Sequence, residues 1–301
     1  MSPITKTLVT GASGFLGTSL CAKLRQVGAE IHGTSRSDTP EPLEAVRWWK
    51  PNLQDVSEIR HLLEQLRPDV VFHLASHVYG SRALEHVLPC LHANLLSTVN
   101  ILTAAAELGG IRVVITGSLE EPDVGDAHIP SPYGIAKLCA REYARVFCHL
   151  YDVPVAYTRI GMVYGPGQRD LNKLVPYVAL ELLNGRAPKL SSGVRLADWV
   201  YVDDITEALL LAGSAPGAIG EPIELGSGTL TSVRDVALAL AALVPNAPTP
   251  VFGEVAERPN ERNRAADLVK TAAQLGWAPR TTLPEGLART LRYYDEYQRR
   301  L

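Results

Sequence analysis

The sequence predicts an α/β protein: a doubly wound parallel sheet followed by a smaller C-terminal lobe. Strand-like and helix-like segments alternate through the first half with short connections, which is typical of a parallel sheet covered on both faces. A glycine-rich turn joins the first strand to the first helix. Beyond Gly165 prolines interrupt shorter elements. We therefore expect two domains, 1–165 and 166–301, with some later segments returning to the main sheet.

Each element follows from hydrophobic spacing. Short β-rich runs predict the strands Ile4–Thr10, Glu30–Ser35, Val46–Trp49, Asp69–Leu74, Ile111–Thr116 and Val153–Ile160. Apolar residues at helical spacing predict the helices Phe15–Val27, Val56–Leu66, Ala83–Leu108 and Pro132–Leu150. A late run, Pro222–Leu225, is predicted to return to the main sheet as a further strand.

Composition and charge exclude several classes of protein. Hydrophobic residues make up 46% of the 301 residues and charged residues 20%, which excludes a disordered or low-complexity chain. The formal net charge of −3 provides no basic surface, so we expect no nucleic-acid partner. The four cysteines lack zinc-ligand spacing, and we expect no metal. With no long apolar run or signal segment, we expect no membrane partner and a cytoplasmic location.

The glycine-rich turn, Thr10 to Gly17, indicates a Rossmann-type dinucleotide site. Its three glycines lie three residues apart, which allows a tight turn and a close approach of backbone to a pyrophosphate. The following helix would offer free N–H groups to the phosphates. The alternative is a tight turn without a ligand. The candidate cofactor-binding residues here are Gly11, Ser13, Gly14, Phe15, Leu16 and Gly17.

The end of the second strand favours NADP over NAD. Ser35 and Arg36 follow the strand, and no carboxylate occurs before Asp38 to accept a ribose 2′-hydroxyl. A hydroxyl and a guanidinium suit a 2′-phosphate instead. The alternatives are NAD as the cofactor and Arg36 as a solvated surface residue.

A tyrosine and a lysine four residues apart suggest acid–base chemistry. Tyr133 and Lys137 would emerge on one face of a helix that begins at Pro132. A nearby ammonium is expected to lower the pKa of the tyrosine. Ser118 follows a buried strand at the sheet edge where ligands bind. The alternative is an exposed helical contact between the tyrosine and the lysine.

Five motifs follow one another along the chain: TGASGFLG (10–17), FHLAS (72–76), SPYGIAK (131–137), VYGPGQ (163–168) and YVDDI (201–205). Together they resemble the extended short-chain dehydrogenase/reductase family, which includes NAD(P)-dependent nucleotide-sugar epimerases, dehydratases and reductases. The resemblance covers nearly the whole chain. It implies Ser118, Tyr133 and Lys137 as a catalytic triad, a smaller substrate-binding lobe and a homodimer. It also implies cofactor contacts at Asn52, Leu53, Leu74, Ala75, Ser76, Tyr133 and Lys137.

Within the family, IHGTSRS (31–37) and GSLEE (117–121) most resemble reductases of GDP-4-keto-6-deoxymannose. The expected function is reduction of the C4 ketone of a nucleotide-linked 4-keto-6-deoxy sugar by NADPH, with Tyr133 as proton donor. The alternatives are a 4-epimerase or 4,6-dehydratase without net redox change, or a non-catalytic NADP-binding module. Glu120 occupies the place of the dehydratase glutamate that abstracts the C5 proton, or else is a solvated carboxylate.

Substrate contacts are expected on both halves of the chain. The family pattern departs here, with Met162 in place of an asparagine and Ala197 in place of an arginine. Cations at roughly matching positions would bind a diphosphate, with a surface charge as the alternative for each, and two residues after the fourth strand would face the sugar. The candidate substrate-binding residues are His77, Ser81, Met162, Lys173, Arg195 and Arg258.

Overall fold

The computed structural model describes residues 4–37, 43–126, 129–257 and 262–299. The chain divides into two compact units. The first comprises Met1–Ile160, Thr206–Glu224 and Val269–Trp277, and the second comprises Gly161–Ile205, Leu225–Leu268 and Ala278–Leu301. The first break in the contacts thus follows Ile160, and two later segments belong to the first unit. The sequence places a single boundary after residue 165 and names Pro222–Leu225 as the one returning strand, whereas the rest of Thr206–Glu224 and the segment Val269–Trp277 are not specified.

The first unit is built on a seven-stranded sheet. Across the described residues the strands are β1 (Lys6–Thr10), β2 (Glu30–Thr34), β3 (Val46–Trp49), β4 (Val70–His73), β5 (Arg112–Ser118), β6 (Val155–Ile160), β7 (Met162–Tyr164), β8 (Lys189–Leu190), β9 (Leu196–Tyr201), β10 (Ile223–Leu225), β11 (Leu230–Ser232) and β12 (Val251–Phe252). The large sheet has the order β10-β6-β5-β4-β1-β2-β3. Its neighbours from β3 to β6 pair in parallel. The predicted doubly wound sheet is confirmed, including the late strand β10.

Helices accompany the strands. In the part of the chain that is described they are α1 (Phe15–Gln26), α2 (Val56–Leu66), α3 (Val87–Cys90), α4 (Ser97–Leu108), α5 (Pro132–Leu150), α6 (Leu174–Leu183), α7 (Val202–Ala212), α8 (Val233–Ala242), α9 (Leu268–Leu275) and α10 (Leu283–Gln298). The bounds of α2 and α5 coincide with the prediction. Both have a strong N-cap: the Asp55 carboxylate accepts from two N–H groups of α2, and Ser131 accepts from Gly134 N–H of α5.

The core of the first unit lies between β4, β5 and β6 and the helices α2, α4 and α5. Leu63, Val71, Leu102 and Val113 have no exposed surface there. Each fully buried apolar side chain of this size contributes about 1.5–3 kcal/mol to stability. The consequence is a rigid sheet whose strand ends hold loop residues in defined positions.

The predicted helix Ala83–Leu108 is wrong as a single regular helix. A 3₁₀ turn at Leu84–His86 precedes α3, and a π-helical turn at Leu91–Leu96 separates α3 from α4. Pro89 lacks the N–H group that a continuous helix requires, which disfavours regular hydrogen bonding in this stretch. π-Helical turns of this kind often occur at functional sites.

The same stretch has one further property. Leu84–Leu108 is the one helical run among the described residues that is long and apolar enough to cross a bilayer by length and composition. Nearly half of its most apolar window is buried within the protein. Ile101, Leu102, Ala104 and Ala105 belong to the core described above. Core helices of this kind pass the same test.

The second unit contains two small sheets. One has the order β11-β9-β7, and the other pairs β12 with β8. The buried Asp198 in β9 stabilises the loops around them, because its carboxylate accepts from the N–H groups of Ser227, Gly228 and Ala266. The strands of these two small sheets have two to six residues, and none of them was expected from hydrophobic spacing.

Candidate active site

The candidate site lies at the carboxyl ends of four adjacent strands. From β1 the chain continues outward to β2 and β3, and then β4 pairs on the opposite side of β1. This reversal of strand order is the position where α/β sheets of this type bind ligands. The loops after β5, β4, β1 and β2 therefore come together at one edge, and all of them belong to the first unit.

The glycine-rich turn fits a dinucleotide. Gly11 has φ of 69°, and a Cβ atom there would lie 2.9 Å from the backbone of Ala75 in the loop after β4. Helix α1 begins at Phe15 with Gly14 as N-cap, and no described side chain caps it. Its first turn carries no acidic residue. The N–H groups and positive end of α1 thus suit a phosphate, as the prediction for Gly11–Gly17 requires.

Hydroxyl groups and a cation occupy the end of β2. Ser13 of the glycine-rich turn donates from Oγ to Ser35 Oγ at 3.3 Å, which brings these two predicted residues together. Ser35 N–H donates to Trp49 O at 3.1 Å. Arg36 is exposed, and its charge contributes to the lowered pKa of His77 after β4. Asp38, the first carboxylate in the sequence after this strand, lies outside the described residues.

The loop after β4 is held by side chains from two other elements. Leu74 and Ala75 donate N–H hydrogen bonds to the backbone oxygen and the hydroxyl of Thr10. Ser76 Oγ and His77 N–H both donate to Asn94 Oδ1, at 2.7 and 2.9 Å. This arrangement fixes the three predicted cofactor residues Leu74, Ala75 and Ser76 beside the glycine-rich turn.

His73 is a structural residue at the end of β4. Its Nδ1 lies 2.8 Å from Thr10 Oγ1, and its Nε2 lies 3.1 Å from Thr98 Oγ1. Burial lowers the pKa of His73 to about 3, and the nearby charge of Lys137 adds to this effect. The imidazole is therefore neutral at physiological pH and links β1, β4 and α4.

Ser118, Tyr133 and Lys137 come together at the end of β5. All three are buried, and the Ser118 hydroxyl is near enough to Tyr133 to influence the pKa of the phenol. Lys137 Nζ donates to Thr116 O at 2.6 Å and lies 5.9 Å from the centroid of the Tyr133 ring. Ser118 Oγ also accepts from the Glu120 N–H at 3.1 Å, so its own proton is available to another oxygen.

The pKa of Tyr133 moves opposite to the expectation from its spacing with Lys137. Burial raises the pKa of Tyr133, the charges of Glu120 and Glu121 raise it further, and the effect of the nearby Ser118 hydroxyl opposes them. Burial lowers the pKa of Lys137 to about 8, which the charge of Glu121 partly opposes. Desolvation is the largest cause of the shift at Tyr133, and the Lys137 ammonium is directed at the Thr116 carbonyl. Tyr133 is therefore a phenol at neutral pH in the ligand-free protein.

Glu120 lies close to this group. Its side chain is half-buried, and its charge acts on the Tyr133 phenol. The partial burial of Glu120 differs from the full exposure of a solvated loop carboxylate. Its role in the reaction remains a prediction.

The other predicted site residues are distributed over the two units. Asn52 is exposed and Leu53 is half-buried, both in the loop before α2. His77 and Ser81 are half-buried in the loop after β4. Three candidates belong to the second unit: Met162 in β7, Lys173 at the N-cap of α6, and Arg195 just before β9. Lys173 Nζ lies 3.9 Å from the Asp170 carboxylate. Arg258 lies outside the described residues.

Sequence reasoning missed several residues that build the site. Thr10 and Asn94 hold the loop after β4, and Glu121 accepts a hydrogen bond from Ser118 N–H. No spacing rule points to Asn94, because it belongs to a π-helical turn, or to Glu121, because buried carboxylates are exceptional. Thr10 directly precedes Gly11, and its position at the end of β1 was the one available signal. Among the described residues no group of three His, Cys, Asp or Glu side chains could hold a metal ion.

Fold and site together define an enzyme built on a Rossmann-type sheet, with a glycine-rich turn and a buried serine, tyrosine and lysine at one edge of that sheet. The family model described as NAD dependent epimerase/dehydratase family matches residues 7–226. The chain belongs to this family, which confirms the resemblance to the extended short-chain dehydrogenases/reductases.

Individual relatives match over almost their full lengths. A UDP-glucose 4-epimerase of Mycolicibacterium smegmatis is 30% identical, with 96% of this chain and 98% of the relative covered. A dTDP-glucose 4,6-dehydratase of Neisseria meningitidis is 25% identical, with 96% and 93% covered. Among solved structures, the Thermus thermophilus UDP-glucose 4-epimerase in complex with NAD is 25% identical, with a TM-score of 0.84 and coverage of 96% and 99%.

Proposed function

We propose that this protein is a nucleotide-sugar 4-epimerase that retains a nicotinamide dinucleotide. The observation that carries the proposal is the burial of Ser118, Tyr133 and Lys137 together at the end of β5, with Lys137 Nζ 5.9 Å from the Tyr133 ring centroid, which provides one acid–base group for one sugar hydroxyl. The 30% identical relative is named UDP-glucose 4-epimerase, and the related structure from Thermus thermophilus holds NAD. Both support a substrate of the UDP-hexose type.

In this reaction Tyr133 takes the proton of the C4 hydroxyl while C4 loses hydride and becomes a ketone. When bound, a nicotinamide dinucleotide supplies the hydride acceptor, the hydride donor for the return, and positive charge in its oxidised form. Ser118 donates a hydrogen bond to the C4 oxygen and keeps its proton, and the Lys137 ammonium favours the tyrosinate that the first step requires. Tyr133 then returns the proton as hydride adds to the other face of C4. The configuration at C4 inverts, and the sugar's oxidation state is unchanged.

Reduction of a 4-keto-6-deoxy sugar, the function first expected from the sequence, has less support. Both curated relatives described above are named for reactions without net redox change. A reductase must exchange its cofactor at every turnover, whereas an epimerase returns the hydride to the same sugar. Retention of the cofactor therefore separates the two functions.

A 4,6-dehydratase is the second candidate, and Glu120 is the observation that favours it. Loss of water across C5 and C6 needs a base at C5 and an acid at the C6 hydroxyl, in addition to Tyr133 at C4. Glu120 is half-buried and close enough to act on Tyr133. However, its neighbour Leu119 is apolar and buried, and Glu121 is completely buried. With one accessible carboxylate, the turn suits epimerisation better than dehydration.

We also propose that NADP(H) is bound in preference to NAD(H). Support comes from the Ser13 and Ser35 hydroxyls, 3.3 Å apart, and from the exposed Arg36 that follows β2. A 2′-phosphate would gain charge-assisted hydrogen bonds from these groups. NAD is the alternative, which the complex of the Thermus thermophilus relative supports.

A homodimer is the oligomeric state that we propose. Exposed apolar residues recur at helical spacing on two packed helical segments of the first unit: Leu84, Val87, Leu88 and Leu91 on one, and Tyr143, Val146 and Leu150 on α5. We name these seven residues the apolar stripe. Contiguous exposed apolar surface of this kind marks an interface, and a two-fold axis would place the stripe of one copy against that of a second.

The function is tested with UDP-glucose that carries deuterium at C4. Purified protein without added cofactor is expected to form the C4 epimer with deuterium retained at C4, as followed by NMR. Consumption of NADPH with a 4-keto sugar, in place of epimerisation, would identify a reductase. Solvent deuterium at C5 of a 4-keto-6-deoxy product, lost in Glu120→Gln, would identify a dehydratase.

The acid–base group is tested with Tyr133→Phe. Removing the phenol is expected to lower kcat by about 10²- to 10⁴-fold, the usual contribution of general acid–base catalysis. Cofactor content should be unchanged. Tyr143→Phe removes an exposed hydroxyl from the same helix and is the matched control, expected to have the parent activity.

A further inference from the structure

The carboxylate of Glu121 is buried next to Ser118 in the turn after β5. Glu121 has no exposed surface, and its Oε1 accepts from Ser118 N–H at 2.7 Å. The backbone closes the same turn in the other direction, because Glu121 N–H donates to Ser118 O at 3.2 Å. Inside this turn the Glu120 N–H donates to Ser118 Oγ. The Glu121 side chain therefore fixes the turn that sets the direction of the Ser118 hydroxyl.

The same carboxylate is tied to the helix that carries Tyr133 and Lys137. Tyr157 OH in β6 lies 2.9 Å from Glu121 Oε1 and 2.8 Å from the backbone oxygen of Lys137. Glu121 Oε2 lies 3.4 Å from Nη1 of Arg141, one turn beyond Lys137 on α5. Glu121 thus connects the Ser118 turn with α5 through two independent contacts.

Further charged groups surround this connection. Arg159 in β6 approaches Glu121 Oε2 with Nε at 3.5 Å and donates from Nη2 to the Glu121 backbone oxygen at 3.1 Å. Arg159 also pairs with Glu224 in β10 and with Asp123 beyond the turn. Arg141 pairs in addition with the partly exposed Glu142.

Gly117 shows that the backbone is adapted to this carboxylate. It lies opposite Arg159 in the β5–β6 pair. A Cβ atom on Gly117 would collide with Glu121 Oε1 and come within 2.5 Å of the Tyr157 hydroxyl oxygen. Glycine at this position leaves the space that the carboxylate and the tyrosine fill.

We propose that Glu121 is a positioning residue that holds Ser118 in register with Tyr133 and Lys137 by linking the turn after β5 to α5. This inference rests on the proposed function, because it takes Ser118 and Tyr133 as the reacting pair. The electrostatics agree with the geometry. Burial has the largest effect on both groups, and the charge of Glu121 adds to the raised pKa of Tyr133 while partly opposing the lowered pKa of Lys137.

Glu121→Gln tests the proposal, because glutamine keeps the shape and one acceptor oxygen while removing the charge. We expect kcat to fall at least tenfold, with KM changed less than twofold and cofactor content unchanged. We also expect the pH midpoint that reports Tyr133 ionisation to move to lower pH. Glu120, Ser118, Cys90 and Lys137, which also face or influence Tyr133, remain in place. A merely loosened structure would lower kcat equally at every pH.

Two further variants separate positioning from general damage. Glu142→Gln removes the other carboxylate that pairs with Arg141 and should have the parent kcat and pH profile. Tyr157→Phe removes only the hydroxyl that lies between the Glu121 carboxylate and the backbone oxygen of Lys137. Its kcat can therefore be measured even if Glu121→Gln fails to fold. We expect at least a threefold fall in kcat with little change in KM.

Amide hydrogen exchange of the cofactor-loaded protein provides a readout that needs no substrate. In Glu121→Ala the Ser118 amide should exchange at least tenfold faster than in the parent, while core amides of β5 are unchanged. Parent-like kcat in folded Glu121→Gln, parent-like kcat in Tyr157→Phe, or an unchanged Ser118 exchange rate would overturn the positioning role. Absence of epimerisation by the parent protein, with accelerated Ser118 exchange in the variant, would overturn the proposed function and leave Glu121's structural link intact.

Discussion

At the scale of a single residue, the ionisation of Lys137 is expected to determine how the activity depends on pH. Burial lowers its pKa to about 8, so the ammonium is lost as pH rises through that value. Because the neutral amine no longer favours the tyrosinate form of Tyr133, we expect kcat/KM to fall above about pH 8. Lys137→Arg keeps a charge at every accessible pH and should lose this alkaline fall at a lower overall rate.

The measurement is the pH dependence of kcat/KM, which reports groups of the free enzyme. A parent profile that stays level to pH 10, or the same alkaline fall in Lys137→Arg, would assign the titration to another group. The lowered pKa of Lys137 also determines how the stability of the fold depends on pH. Since the unfolded lysine binds its proton up to a higher pH than the folded one, Lys137's contribution makes the free energy of unfolding rise with pH above about 8.

Cofactor preference is decided by Ser35 and Arg36. Each charge-assisted hydrogen bond to a 2′-phosphate contributes about 1.5–3 kcal/mol, so NADP should bind roughly tenfold or more tightly than NAD. Ser35→Asp combined with Arg36→Asn supplies a carboxylate for the ribose hydroxyl and should reverse the preference.

Titration of cofactor-stripped protein at one ionic strength measures this preference. Arg47→Asn removes an exposed arginine that pairs with Glu30 at the start of β2, and it serves as the charge-matched control. Equal or tighter binding of NAD to the parent would show that Ser35 and Arg36 do not contact a phosphate.

At the scale of secondary-structure elements, local signals explain which predictions succeeded. Helices α2 and α5 begin where Asp55 and Ser131 cap them, and such caps are visible in sequence. The π-helical turn Leu91–Leu96 has no such signal. It depends on Asn94, whose amide accepts from Ser76 and His77 and donates to His77 O. These partners are distant in sequence, so helical periodicity alone could not reveal the interruption.

Asn94→Ala tests this element. It leaves the Ser76 hydroxyl and the His77 backbone groups without their partner, and we expect a loss of about 1–3 kcal/mol in the free energy of unfolding. Cofactor affinity should also fall, because the loop after β4 lies beside the glycine-rich turn. Denaturant titration and cofactor binding are the measurements.

Asn184→Ala is the control for the asparagine variant. Asn184 is exposed, and its side chain donates to one carbonyl, Leu180 O, at the end of α6. We expect its free energy of unfolding to change by less than about 0.5 kcal/mol. An equal effect of the two substitutions would mean that Asn94 does not hold the loop after β4.

At the scale of the whole molecule, the first unit was more predictable than the second. Long hydrophobic strands and the motifs at their ends specify the large sheet and most of the site. The second unit uses strands of two or three residues alongside β9, too short for periodicity to detect. The segments 206–224 and 269–277 return to the first unit through contacts distant in sequence. Glu121 and Asn94 belong to the same category, because their roles depend on partners that only the fold brings near.

Dimerisation tests the apolar stripe at this largest scale. Leu84 and Leu150 are 84% and 69% exposed, which is unfavourable for a monomer in water. We expect the parent to have twice the chain mass of 32.6 kDa by light scattering. Leu88→Glu combined with Leu150→Glu should give the monomer mass, because burying unpaired carboxylates in an apolar interface is strongly unfavourable. Val269→Glu alters an equally exposed apolar residue outside the stripe and should remain dimeric. A parent protein at the monomer mass, or a dimer that survives both stripe substitutions, would place the interface elsewhere or remove it.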